Sequence, residues 1–298
     1  MKKIAIMLVI LVCAASAMAE NKSIHIDGSS TLFPLTEAVA EEFGKKQADV
    51  KVMVGVSGTG GGFKKFMAGE IDIVDASRAI KPEEVTLAKK NKITYAEVPV
   101  AMDGITVVVN SKNTWVDYLT VEELKKIWSP DSQVKTWKEV RSTWPDKAIK
   151  LYGPGTDSGT FDYFTEAING KARASRSDYT KSEDDNILVQ GIEGDEGSLG
   201  YFGYSYYVAN QKRLKLVPIK NKTVVTPSEK TILEGSYSPL SRPLFIYVSK
   251  TALKRDEVKN FMMFYLEKAS QLSKEVGFVP LKDSRYAQAT KDLKKVMP

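Results

Sequence analysis

Three times in this chain a stretch that alternates like a β-strand ends in a turn of serine, threonine and glycine and runs into an amphipathic helix. The first unit has SIHID at 23–27 as the strand. GSST at 28–31 then turns, Pro34 suits a first helical turn, and Leu35, Ala38, Val39 and Phe43 recur on one helical face. In the second, VKVMVGV at 50–56 is the strand and SGTGGG at 57–62 a loop, followed by a helix carrying Phe63, Phe66 and Met67 inward. The third, LYGPGTDSGTFDYFTEAI at 151–168, is a strand end, a glycine turn and a helix opened by Asp157, Ser158, Gly159 and Thr160, with Phe161, Phe164 and Ile168 on one face. Strands that pass directly into helices define an α/β fold, with the turns gathered at the carboxyl edge of a sheet.

A helix N-terminus carries unpaired N–H groups and a partial positive charge, so each turn is a seat for an anion. Taken singly, each is equally a helix with its ordinary cap. Three together suit an oxyanion, because a dehydrated anion needs every oxygen satisfied by donors from several segments. Phosphate loops of the Walker and dinucleotide kinds are excluded, since Phe63 stands where a fingerprint begun at Gly58 needs glycine. Arg78 ends the short strand 71–75, placed either to enter the crevice or to make a surface ion pair. Arg173 and Arg176 are further donors in a polar loop.

Catalysis finds little to work with. His25, the one histidine, falls inside a strand, and Cys13 is the one cysteine, so a metal site would rest on carboxylates alone. Glu183, Asp184 and Asp185 read as the N-terminal charge of a helix over 187–191. No G-x-S-x-G elbow occurs, and neither Ser57 nor Ser158 has an evident base partner. A secreted phosphatase is therefore the weaker alternative to a binding protein.

The chain opens MKKIAIMLVILVCAASAMA, a basic start, an apolar run and a small-residue exit that read as a secretory leader cleaved after Ala19. Val12 before Cys13 disfavours lipidation there, and no later apolar run is long enough for a spanning helix. Without Lys2 and Lys3 the mature chain keeps 41 basic against 37 acidic residues, scattered rather than striped, which argues against nucleic acid as a partner.

Between the turns lie a helix over 82–90, a strand-rich crossing over 93–110 and a capping box at Thr120 and Glu123. Trp115, Trp137 and Trp144 suit packing, and 194–207 reads as a buried turn and strand. A second crossing spans 238–250, followed by a long helix over 256–276 and another over 283–297. Two turns precede the first crossing and the third follows it. The ligand is thus expected between two lobes that close by a hinge, lobe one from 20–101 plus 243–298 and lobe two from 102–242.

The segments GSSTLFPLTEAVAEEF, VSGTGGGFKKFMAGEIDIVDASR, GPGTDSGTFDYFTEAI and EGSLGYFGYSYY together resemble the periplasmic phosphate-binding subunit of bacterial phosphate ABC importers, the PstS family. The resemblance runs from about Ser23 to near the C-terminus. It implies a type II periplasmic-binding-protein fold, with two α/β lobes joined by two crossing strands. It also implies a monomeric periplasmic receptor, with no cofactor, that hands orthophosphate to permease subunits of the inner membrane. Carried across, Thr31, the N–H of Leu32 and neighbouring Ser30 are donors from the first turn, Ser57 from the second, and Ser158, Gly159 and Thr160 from the third. Two positions depart from the family pattern: Pro154 replaces an arginine, and Arg78 an aspartate that accepts the ligand's proton. Arg78 is then the expected site cation, with Arg176 second, and Asp157 or Asp75, ahead of Asp103, the expected acceptor. Sulfate or arsenate remain alternative ligands, and an added adhesive or signalling role stays open.

Overall fold

The computed structural model describes residues 22–156, 158–182 and 184–297. The leader with Cys13, and the expectations placed on Asp157 and Glu183, lie outside them. The first half runs β1 (Lys22–Gly28), α1 (Phe33–Lys46), β2 (Val50–Val56), α2 (Gly58–Met67), β3 (Ile73–Ala76), α3 (Pro82–Lys90), β4 (Tyr95–Asn110), β5 (Leu119–Thr120), α4 (Val121–Trp128) and α5 (Trp137–Val140). It continues through β6 (Lys150–Pro154), α6 (Gly159–Asn169), β7 (Thr180–Ser182), α7 (Asp185–Glu193), β8 (Ser198–Gly203), α8 (Tyr204–Asn210), β9 (Leu214–Val217), β10 (Ile219–Lys220) and β11 (Val224–Val225). The chain then closes with α9 (Glu229–Leu233), β12 (Ser241–Ser249), α10 (Asp256–Glu275) and α11 (Asp283–Val296).

The main sheet has the order β2-β1-β3-β12-β4-β8-β6-β7, with β9 beside β4. β1 lies parallel to both β2 and β3, which sets Val56, Gly28 and Asp75 abreast at one carboxyl edge. β4 carries the sheet across the molecule. Its first part pairs antiparallel with β12 and its last part with β8 and β9.

Two main cores lie on either side of this crossing. One gathers Ile24, Leu35, Phe43, Ala101, Leu244, Phe261 and Tyr265; the other takes Met102, Trp128, Trp137, Phe164, Tyr201 and Leu240. β4 passes from the first core to the second between Ala101 and Met102, and β12 returns between Leu240 and Leu244. Helical periodicity explains the largest contribution to the first core. Val258, Phe261, Met262, Tyr265, Leu266, Ala269 and Leu272 of α10 are all buried, each large side chain stabilising by roughly 1.5–3 kcal/mol. In the second core Trp137 stands edge-on to both Trp115 and Trp144. The capping box also forms, with Glu123 N–H donating to Thr120 Oγ1 and Thr120 N–H to Glu123.

Two local expectations change. The glycine run is not a loop: α2 begins at Gly58 and contains Gly60, Gly61 and Gly62. Glycine in a helix costs about 1 kcal/mol relative to alanine, and close packing accounts for its presence. A Cβ on Gly62 would lie 2.7 Å from Gly28 Cα, so only glycine lets α2 settle onto the end of β1. The segment after Gly203 is also not buried strand. It forms α8, which buries no residue and leaves Tyr206 and Val208 exposed.

Candidate functional site

The first turn is held from below. Ser29 N–H donates to the Asp75 carbonyl at 2.9 Å, and Phe33 N–H donates to the Ser29 carbonyl at 3.1 Å. Thr31 and Leu32 are buried and Ser30 is half-buried. Among the described residues no side chain caps α1; the Leu32 N–H only leans toward Ser29 Oγ at 3.4 Å.

The third turn rests directly on the first. Gly159 opens α6, and a Cβ there would fall 2.3 Å from Thr31 Oγ1 and 2.5 Å from Thr31 N. Ser158 caps this helix, its Oγ accepting the Thr160 N–H at 3.2 Å. Two helix N-termini from opposite sides of the crossing therefore meet at Thr31, and their macrodipoles point the same sign of potential at one place.

A cation stands at that meeting point. Arg242 of β12 faces Asp103 of β4 in the strand register. Its Nη2 donates to Thr31 Oγ1 at 2.9 Å, while its Nε lies 3.5 Å from Asp103 Oδ2. The guanidinium stacks 3.6 Å from the ring centre of Tyr163 on α6, whose hydroxyl donates to the Pro239 carbonyl at 2.7 Å. Burial pushes the Asp103 carboxyl up from its ordinary value, against the opposing pull of Arg242. Sequence reasoning missed Arg242. The available signal was an arginine in the apolar second crossing together with an aspartate, in MDG, in the first.

The second turn behaves differently. Ser57 stands at the N-cap of α2 without capping it; its Oγ instead donates to Asp27 Oδ1 at 2.6 Å. Thr59 Oγ1 accepts the Ser77 N–H at 3.1 Å, which ties this turn to the end of β3.

Neither expected cation fills that role. Arg78 does sit by the second turn, 3.9 Å from where a Gly60 Cβ would be, but its charge is spent locally. Nη1 and Nη2 donate to the two oxygens of Glu84 at 2.9 and 2.8 Å. Arg176 is buried away from the turns. It donates to the carbonyls of Ile127 and Val134, to Ser132 Oγ and to both oxygens of Asp178, and so closes the end of α4.

Asp75 does not suit the acceptor role. It is fully buried beneath the first turn, with Thr36 Oγ1 donating to Oδ1 at 3.0 Å and Tyr265 OH 3.0 Å from that same Thr36 oxygen. Burial, aided by the Asp27 charge and opposed by the Thr36 bond, drives its pKa to about 8. At neutral pH it therefore keeps its own proton.

Residues 14–269 match the family model described as a PBP superfamily domain. The chain is 50% identical over 300 residues to protein SphX of Synechococcus elongatus, across 97% of this chain and 88% of that protein. It is 43% identical over 265 residues to phosphate-binding protein PstS of Staphylococcus saprophyticus, across 88% of this chain and 81% of that one. The crystal structure of a possible phosphate binding protein from Planctomyces limnophilus aligns with a TM-score of 0.90 at 51% identity, covering 93% of this chain and 99% of that chain.

Proposed function

This chain belongs to the PBP superfamily, and from that footing we propose that it captures inorganic phosphate in the periplasm and delivers it to the permease of an ABC importer. It has the type II periplasmic-binding-protein fold, two α/β lobes with a cleft between them and two strands crossing from one to the other. We take lobe one as 20–101 plus 243–298 and lobe two as 102–242, hinged where Arg242 faces Asp103.

The observation that carries the reading is the convergence on Thr31. A helix N-terminus from each lobe and a buried guanidinium reach the same residue. That arrangement offers N–H and hydroxyl donors to several oxygens at once and adds one positive charge, which suits a small tetrahedral anion. The ligand set proposed is Ser30, Thr31 and the Leu32 N–H from the first turn, Ser57 from the second, Ser158, Gly159 and Thr160 from the third, and Arg242. The same closeness of Gly159 to Thr31 supports closure of the lobes over the ligand. The protein acts as a monomeric receptor rather than an enzyme, exported by the leader at 1–19.

Calorimetric titration of the ligand-stripped mature protein with phosphate, then with sulfate at the same pH, tests this. One phosphate per chain and no sulfate heat is the expected result. Equal binding of sulfate would remove phosphate as the specific ligand, and no heat from either would remove the receptor function.

A further inference from the structure

We propose that Asp27 fixes the hydroxyl of Ser57 as a proton acceptor, so that the second turn admits phosphate carrying a P–OH group and turns away sulfate. This rests on the phosphate reading above and adds to it the source of selectivity. Two hydroxyls at the same sheet edge are set with opposite polarity. Thr31 Oγ1 accepts from Arg242, which leaves the threonine's own hydrogen free to donate to a ligand. Ser57 is the reverse. Its single hydrogen is committed to Asp27 Oδ1 at 2.6 Å, so only lone pairs remain to face the cleft. Ser57 belongs to this edge because β2 and β1 run in parallel register, with Val56 beside Gly28.

The pair is a built feature. Asp27 is almost fully buried, and its other oxygen takes the ammonium of Lys65. Burial alone would raise the Asp27 carboxyl, but the bonds from Lys65 and Ser57 outweigh it and hold the group below its ordinary value, in the ionised, acceptor-only form. Glycines on both sides leave room. A Cβ on Gly55 would lie 2.7 Å from Asp27 Oδ2, and one on Gly61 would lie 2.7 Å from Ser57 Oγ. Ser57 also forgoes the capping bond that a serine at its position ordinarily makes.

The chemistry discriminates by repulsion as well as attraction. Monohydrogen phosphate has a proton to give to Ser57 Oγ, whereas sulfate at neutral pH has none and would press an oxygen lone pair against another. Other carboxylates serve this purpose less well: Asp75 is protonated inside the first core, and Asp103 faces Arg242.

The test is calorimetry with phosphate and sulfate on full-length mature variants whose folding is checked by thermal melting. Asp27→Asn can donate to Ser57 and release its hydrogen, so phosphate affinity should fall about tenfold and sulfate binding should rise about tenfold, the scale of one charge-assisted hydrogen bond. Ser57→Ala should weaken phosphate and, by removing the repelling oxygen, relieve part of the exclusion of sulfate, and Asp27→Asn in that background should add nothing. Gly61→Ala, which favours the helix, keeps the proposal testable if Asp27→Asn does not fold. Its methyl displaces Ser57 Oγ and should likewise admit sulfate. Sulfate excluded from both Asp27→Asn and Gly61→Ala as firmly as from the parent overturns the proposal, as does sulfate entering only with Asp157→Asn. A parent protein that binds no phosphate would instead defeat the functional reading itself.

Discussion

Arg242 and Asp103 face each other across the two crossing strands, yet the guanidinium makes its closer contact with Thr31, at 2.9 Å against 3.5 Å to the carboxylate. Among the described residues, neither Arg242 Nε nor Asp103 Oδ2, both buried, has a hydrogen-bond partner. The arginine is thus positioned by the hinge and engaged by the ligand turn, rather than consumed by its counter-ion. Contrast Arg176, whose donors are satisfied within lobe two.

Arg242→Met should therefore weaken phosphate binding by about a hundredfold or more, since truncating one partner of a buried charged contact costs roughly 2–5 kcal/mol. Arg242→Lys should recover only part of this, because an ammonium cannot reach Thr31, pair with Asp103 and stack on Tyr163 together. Arg176→Met should lower the melting temperature and leave the phosphate dissociation constant unchanged. Titration calorimetry of the three variants checks the contrast, and an unchanged affinity in Arg242→Met would refute the assignment.

Gly159 makes the lobes' approach sensitive to a single methyl group. Alanine is the better helix former, so Gly159→Ala should leave stability nearly unchanged or slightly raised. With Thr31 N only 2.5 Å from the added Cβ, however, α6 cannot settle onto the first turn. Phosphate affinity should fall at least about tenfold. Small-angle scattering should show less contraction on adding phosphate than in the parent. Full contraction would place closure elsewhere.

What could be read from the sequence follows from the range of the forces involved. The inward face of α10 and the Thr120–Glu123 capping box depend on spacings of three and four residues, which the chain displays directly. The strand–turn–helix units were visible for the same reason. Arg242 was not, because its meaning depends on β12 lying antiparallel to β4 in a register that brings it opposite Asp103. Arg176 was misjudged because the carbonyls left open at the end of α4 cannot be seen in the sequence. Arg78 reads in the sequence as open to either a crevice or an ion pair, because the chain does not display that Glu84, in the first turn of α3, closes on its guanidinium. The start of α2 was misplaced because glycine's low helix propensity was outweighed by the close approach of Gly62 to Gly28.

The buried Asp75 gives the protein a distinct pH signature. Its pKa is about 8 in the folded chain against 3.8 for the free side chain. Between these values the unfolded chain has released the proton and the folded chain still holds it. Stability from this residue therefore falls as pH rises across that window, by up to about 1.4 kcal/mol per unit of pH, and levels off once the folded residue also ionises. Asp75→Asn keeps the shape and cannot ionise, so its melting temperature should rise relative to the parent from about pH 5 to about pH 8 and then hold a constant offset. Other titrating groups contribute equally to both proteins and cancel in the difference. Scanning calorimetry of the pair across this range measures it directly. An offset that stays flat from about pH 5 to about pH 8 would mean that Asp75 is ionised in the native core, stabilised by Thr36 more than burial penalises it, and would return it to consideration as an acceptor.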